Sequence, residues 1–126
     1  MKKTSVDEKF YQEIRKIFDN LVDDSSEDVV VLVEGAKDEK ALRMIGVRGK
    51  ILHASTAEKE LMNMPKPSKI ILLFDFDEEG EKALKRMAQS LTAKGYRVDQ
   101  IYHKKLRVLK RVGVTTVEAM KKFAQR

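Results

Sequence analysis

The chain has 126 residues, with 26 Lys and Arg against 20 Asp and Glu, and a formal net charge of +6 at pH 7. It contains no Cys, which excludes a disulfide framework, a Cys-ligated zinc, an iron–sulfur cluster and a thiol nucleophile, and two His give zinc chemistry little support. At 42% hydrophobic and 37% charged residues it fits one soluble domain, 1–126, and no apolar stretch approaches the roughly 20 residues that a bilayer span needs. The opening MKKTSVDEKF carries lysines but no apolar run of a secretory signal, so a cytoplasmic location is the expectation.

Residues 5–22 predict an amphipathic helix, with Val6, Phe10, Ile14, Ile17, Phe18 and Leu21 on one face. Ser5 and Glu8 have the spacing of a capping box, and the polar DDSSED run at 23–28 ends the helix. VVVLV at 29–33 is a continuous β-branched run, the mark of a strand covered on both faces. Gly35 and a short helix near 37–46 follow. ILHAS at 51–55 predicts a short strand, with Ser55 and Glu58 opening a helix through Met62. Pro65 and Pro67 mark a connection, and IILLF at 70–74 is a second buried strand. A helix over 79–94 ends at Gly95, and YRVDQIY at 96–102 alternates like an edge strand. The basic segment 103–111 is helical or irregular, and Thr115 caps a last helix with Val117, Met120 and Phe123 buried. A helix followed by about four strand–helix units predicts an α/β fold. That fold has three layers, with a mostly parallel four-stranded sheet and helices on both faces.

Charge is segregated along the chain. Residues 1–80 balance to −4 and residues 81–126 to +10, densest at Lys104, Lys105, Arg107, Lys110 and Arg111. A polyanion partner accounts for such segregation, because several phosphates are neutralised at once. A solvated lysine-rich surface is the alternative.

Ligand sites in open α/β sheets lie beyond the carboxyl ends of the strands. The first buried strand ends in Glu34-Gly35 and the second in Asp75-Phe76-Asp77, with Gly80 beyond. Residues two apart in an extended chain point the same way, so Asp75 and Asp77 can converge while Phe76 faces away. If the strands are neighbours, Glu34 joins them. Crowded carboxylates repel, a divalent cation removes that cost, and all-oxygen ligands favour Mg²⁺ or Mn²⁺. Acids after strands also cap the next helix, which is the competing explanation for any one of them. Glu78, Glu79 and Glu81 suit the dipole of the following helix. Lys37 and Lys40 are close enough in sequence to Glu34 to touch a phosphate.

VVVLVEGAKDEKAL at 29–42 and IILLFDFDEEGEKAL at 70–84 resemble the two motifs of the Toprim domain. That domain is the catalytic fold shared by type IA and type II topoisomerases, bacterial primases, OLD-family nucleases, the 5S-rRNA-maturing ribonuclease and recombination mediators. The likeness spans a core of about 28–102, between the helix 5–22 and a basic segment 103–126, and is greatest to small stand-alone archaeal Toprim proteins. It implies Mg²⁺ held by Glu34, Asp75 and Asp77. It further implies a proton-transfer role for Glu34, with Asp75 best placed to bridge two ions. Type IA topoisomerases usually read D-P-D-R-E-G; Phe76 and Glu78 depart from that and remove a positive group. The chain has no room for the other domains of a topoisomerase or primase. Tyr11, Tyr96 and Tyr102 are therefore expected to pack, not to attack.

Two functions compete. One is an Mg²⁺-dependent nuclease acting on nucleic acid, RNA before DNA, with Glu34 and Asp75 catalytic and Lys37 and the 104–111 cluster gripping the backbone. The other is a non-catalytic RNA-binding accessory protein in a ribosomal or RNA-processing ribonucleoprotein; few aromatic residues mean recognition by phosphate and shape. A phosphotransfer enzyme for small phosphorylated molecules ranks third, since it leaves the basic segment idle. His53 and His103 are read as packing residues outside the catalytic set.

Overall fold

Alternation along the first buried strand decides the architecture. The structure, a computed structural model, describes residues 2–124, with side chains from Glu8 onward. Strand β1 (Val29–Val33) is buried along its whole length. Val29, Val31 and Val33 enter one hydrophobic cluster, and Val30 and Leu32 enter another. A strand with two apolar faces needs helices on both sides.

β1 lies inside a four-stranded parallel sheet of order β2-β1-β3-β4, where β2 is Lys50–His53, β3 Lys69–Leu72 and β4 Val98–Asp99. Val31 sits between Ile51 and Ile71, and Leu32 between Leu52 and Leu72. The chain steps from β1 outward to β2 through α2 (Ala36–Ile45), then returns past β1 to β3 through α3 (Ala57–Met62). Continuing the same way, α4 (Glu78–Ala93) leads to β4. Right-handed crossovers in opposite directions put α2 on one face and α3 with α4 on the other. Packing agrees, because Leu42 of α2 joins the first cluster while Leu61, Leu84 and Leu91 join the second. The first face is completed by α1 (Lys2–Asp24), α5 (Ile101–Leu106) and two 3-10 helices, Arg107–Val112 and Glu118–Phe123.

Differences from the sequence reading are local. The backbone is helical from Lys2, before the expected start at Ser5, and the Ser5 and Val6 side chains lie outside the described ones. β3 leaves the ladder after Leu72, although Leu73 and Phe74 stay fully buried. The edge strand shrinks to Val98–Asp99. Asp99 Oδ1 accepts the Ile101 N–H at 2.9 Å, which turns the chain into α5 instead of prolonging the strand. The last helix is a 3-10 helix, and its turn is held by Thr116, not Thr115: Thr116 Oγ1 accepts the Ala119 N–H at 3.1 Å. No helix among the described residues is long and apolar enough to cross a membrane.

Candidate functional site

The order β2-β1-β3 makes the gap between β1 and β3 the switch point of the sheet, since the chain leaves β1 to one side and later resumes on the other. Loops diverge there and open a crevice at the carboxyl ends. Glu34 follows β1 and Asp75 follows β3, so each strand delivers one acid to that crevice.

The two carboxyls stand within hydrogen-bond reach of each other. Burial and the Asp75 charge push Glu34 above the ordinary glutamate value, with a smaller push from Asp38. Asp38, on the first turn of α2, accepts the Gly35 N–H at 3.1 Å. Burial raises its carboxyl too, and the charges of Asp75 and Glu118 add to that. Four acids therefore share one field: Glu34, Asp38, Asp75 and Glu118. Asp38 and Glu118 were not singled out by the sequence. For Asp38 the signal was available, because Gly35 to Asp38 is the spacing of a capping acid. Glu118 reaches the crevice only through tertiary folding.

The C-terminal segment clasps the acid-bearing loop. Phe76 N–H donates to the Thr115 carbonyl at 2.7 Å, and Val117 N–H donates to Asp75 Oδ1 at 2.8 Å. Phe76 is wholly buried, so it does face away from the acids flanking it. Beneath it lies His103, also wholly buried, with ring centroids 5.2 Å apart. His103 Nε2 is 3.4 Å from the Asp75 carbonyl and 3.7 Å from Glu81 Oε2. Both neighbours accept, which puts the proton on Nε2 and leaves Nδ1 bare, with no hydrogen-bond partner among the described residues. Burial lowers the His103 pKa, against the pull of Glu81. His53 is also engaged, with Nε2 2.7 Å from Glu39 Oε1.

Asp77 has a second task. Its Oδ1 accepts the Gly80 N–H at 2.8 Å and caps α4. Among the described residues no three His, Cys, Asp or Glu side chains stand ready to hold a metal ion. The structure thus brings Glu34 and Asp75 together and gives Asp77 a capping bond. Two carboxylates still fit a hard cation, because Mg²⁺ keeps most of its waters and takes one or two carboxylates with substrate phosphates.

The basic residues are divided between surfaces. Arg107 is paired bidentately to Glu81, both hydrogen bonds at 2.8 Å, beside the acid-bearing loop. Lys105 borders a groove of about 450 Å³ with Asp23 and Asp24. Lys37, Lys104, Lys110 and Arg111 are exposed.

The Toprim domain model matches residues 29–106, and the chain belongs to that family. It is a Toprim-domain, nucleic-acid-associated protein, and Toprim folds in general bind metal ions. Its relatives include UPF0292 proteins of archaea. The one from Pyrococcus abyssi is 32% identical over 112 residues, covering 86% of this chain and 84% of that protein. The one from Archaeoglobus fulgidus is 32% identical over 120 residues, covering 92% and 93%. A solved structure of a protein from Aquifex aeolicus superposes with a TM-score of 0.68 at 31% identity, covering 82% of this chain and 94% of that one.

Proposed function

We infer that this protein processes phosphodiesters in nucleic acid, RNA in preference to DNA, with the help of Mg²⁺ or Mn²⁺. The observation that carries this reading is the Glu34–Asp75 pair at the switch point of the sheet. Two carboxyls pressed together and partly desolvated are a cost to the free protein, and a divalent cation turns that cost into affinity. Glu34 and Asp75 would hold the ion, with Asp77 near the rim. When bound, the cation would supply charge neutralisation at the phosphoryl oxygens and a more acidic water. Burial and the Asp75 charge raise the Glu34 carboxyl above the ordinary glutamate value, which suits it to proton transfer. Asp75 is fixed by the Val117 N–H, and its charge faces Glu34. Exposed Lys37, Lys104, Lys110 and Arg111 would touch the backbone phosphates.

The test is a cleavage screen of structured RNAs, single-stranded RNA and DNA with Mg²⁺ and Mn²⁺. Cleavage by the wild-type chain that Asp75→Asn abolishes supports the reading. Equal background from both proteins on every substrate overturns it. Retention of intact ribonucleoprotein without cleavage would instead support the accessory role, to which the capping engagement of Asp77 is equally suited.

A further inference from the structure

A cleft between α3 and α4 opens at Glu34 and runs away from the acid pair along the second face of the sheet. Its inner part encloses about 270 Å³, lined by Glu34, Ala54, Phe74, Ala83, Arg86 and Met87. Four of those six side chains are apolar, and buried Phe74 forms part of the floor. At the outer end Glu58 accepts the Ser90 hydroxyl and pairs with Lys94, so its charge is already answered. Past Glu58 a second hollow of about 320 Å³ is bounded by Met62, Lys94 and Tyr96. Met62 is 80% exposed, the highest value for a large hydrophobic side chain among the described residues. Arg86 overlooks the inner hollow and makes no hydrogen bond or ion pair among the described residues, although Glu34 and Glu58 line the same space.

These features follow one another in a fixed order. The Glu34–Asp75 acid pair comes first, a free guanidinium next, then an apolar slot, then a second apolar ledge with an aromatic ring. A nucleotide strand repeats the matching order of phosphate, sugar and flat base. Arg suits phosphate oxygens, and apolar or aromatic surface suits the face of a base. A sugar phosphate lacks the flat face. A base still paired in a duplex cannot enter the slot.

We propose that the α3–α4 cleft is a nucleoside subsite of single-stranded or terminal nucleic acid. It seats the base next to the phosphate handled at Glu34 and Asp75, with Arg86 on the backbone and the following base on the Met62–Tyr96 ledge. The subsite rests on the phosphodiester reading above, and it gives this Toprim domain a means of selecting unpaired substrate.

Adenosine 5′-monophosphate and ribose 5-phosphate, each with Mg²⁺, are titrated into the full chain and followed by NMR. Adenosine 5′-monophosphate binds about tenfold more tightly, because stacking a base on apolar surface carries that much. The methyl signals of Ala54, Ala83 and Met87 shift with it. Ala83→Leu fills the slot and brings the two affinities together, while Arg86→Ala weakens both ligands. Ala54→Leu blocks the slot from the loop side and repeats the test if Ala83→Leu does not fold. Equal affinities in the wild-type chain overturn the subsite, as does a preference that survives either filling variant in folded form. RNA cleavage that requires Asp75, found together with equal affinities, removes the subsite and leaves the phosphodiester reading intact. A base preference abolished by the filling variants, in a protein that cleaves nothing, keeps the subsite and removes turnover.

Discussion

Gly80→Ala tests whether the acid-bearing loop depends on a close helix approach. A Cβ at Gly80 would lie 2.1 Å from the Asp75 carbonyl oxygen, 2.5 Å from its carbon and 2.8 Å from the Asp75 Cβ. All three atoms belong to the backbone or the root of a side chain, so none can swing aside. The first turn of α4 must retreat by about 1 Å to restore ordinary van der Waals separation. Overpacking against rigid atoms costs about 3 kcal/mol at the upper end of its usual range. Replacing Gly by Ala in a helix returns about 1 kcal/mol. The net expectation is a loss of about 2 kcal/mol, which lowers the Tm of a 126-residue domain by roughly 8 °C. Gly35→Ala is the control. Gly35 has extended backbone with φ −163°, and an added Cβ there meets nothing within 4 Å. Urea unfolding at equal m-value measures both. The NMR amide signals of Asp75 and Val117 should move in Gly80→Ala and stay in Gly35→Ala. A Gly80→Ala protein within about 0.5 kcal/mol of wild type would refute the reasoning, since that is the usual range of a surface substitution.

Three further outcomes are expected. Glu34→Gln removes the charge that opposes Asp75; in a chelator it should be more stable than wild type by a few tenths of a kcal/mol after solvent screening, and thermal unfolding with added Mg²⁺ should no longer show a gain. Lys69 bridges Asp24 at 2.6 Å and Asp99 at 2.7 Å. Burial raises the Asp24 carboxyl, but hydrogen bonds from Lys69 and Tyr102 outweigh it, and the net pKa is lowered. Its stabilisation is therefore complete above the ordinary Asp range near 3.8 and is lost as pH falls through the lowered value. Lys69→Met should cost about 1–2 kcal/mol at pH 7 and flatten the acid limb of a stability–pH curve, as read by urea unfolding between pH 2 and pH 7. Replacing Lys104, Lys110 and Arg111 together by Gln should reduce the slope of log K against log [salt] for single-stranded RNA by up to about 2, near 0.7 for each phosphate no longer neutralised. An unchanged slope would remove these residues from the interface.

Period and composition made the architecture legible. β1 could be read to the residue because VVVLV is too short and too branched for a helix, and apolar on both sides. Glu34 and Asp75 were legible because each abruptly ends an apolar run, VVVLV and IILLF. Their meeting depended on β1 and β3 being neighbours, which follows from parallel topology, not from either motif. The C-terminal third was less legible. Segment 96–102 alternates like a strand, but the Asp99 side chain captures the Ile101 N–H and starts a helix. The basic run looked like one patch in one dimension. Folding divides it, because α5 turns Tyr102, His103 and Leu106 inward and Lys104 and Lys105 outward. Arg107 goes to Glu81, a pairing between residues 26 apart that no local pattern announces.

Asp75 serves the fold and the site together, and its substitutions should separate the two. The Val117 N–H that it accepts belongs to a buried residue in the segment closing over the sheet. Asp75→Ala strands that donor, at a cost of about 1–3 kcal/mol. Asp75→Asn keeps an oxygen to accept it, removes the charge facing Glu34, and should be within about 0.5 kcal/mol of wild type in a chelator. Both variants should lose the Mg²⁺-dependent rise in Tm. Equal stability of the Ala and Asn proteins in urea unfolding would show that the clasp contributes nothing. With Asn the more stable, it is the right inactive control, since its loss of metal response cannot then be put down to an opened C-terminal segment. One bond from Asp75 secures the C-terminal segment, while its charge still faces Glu34.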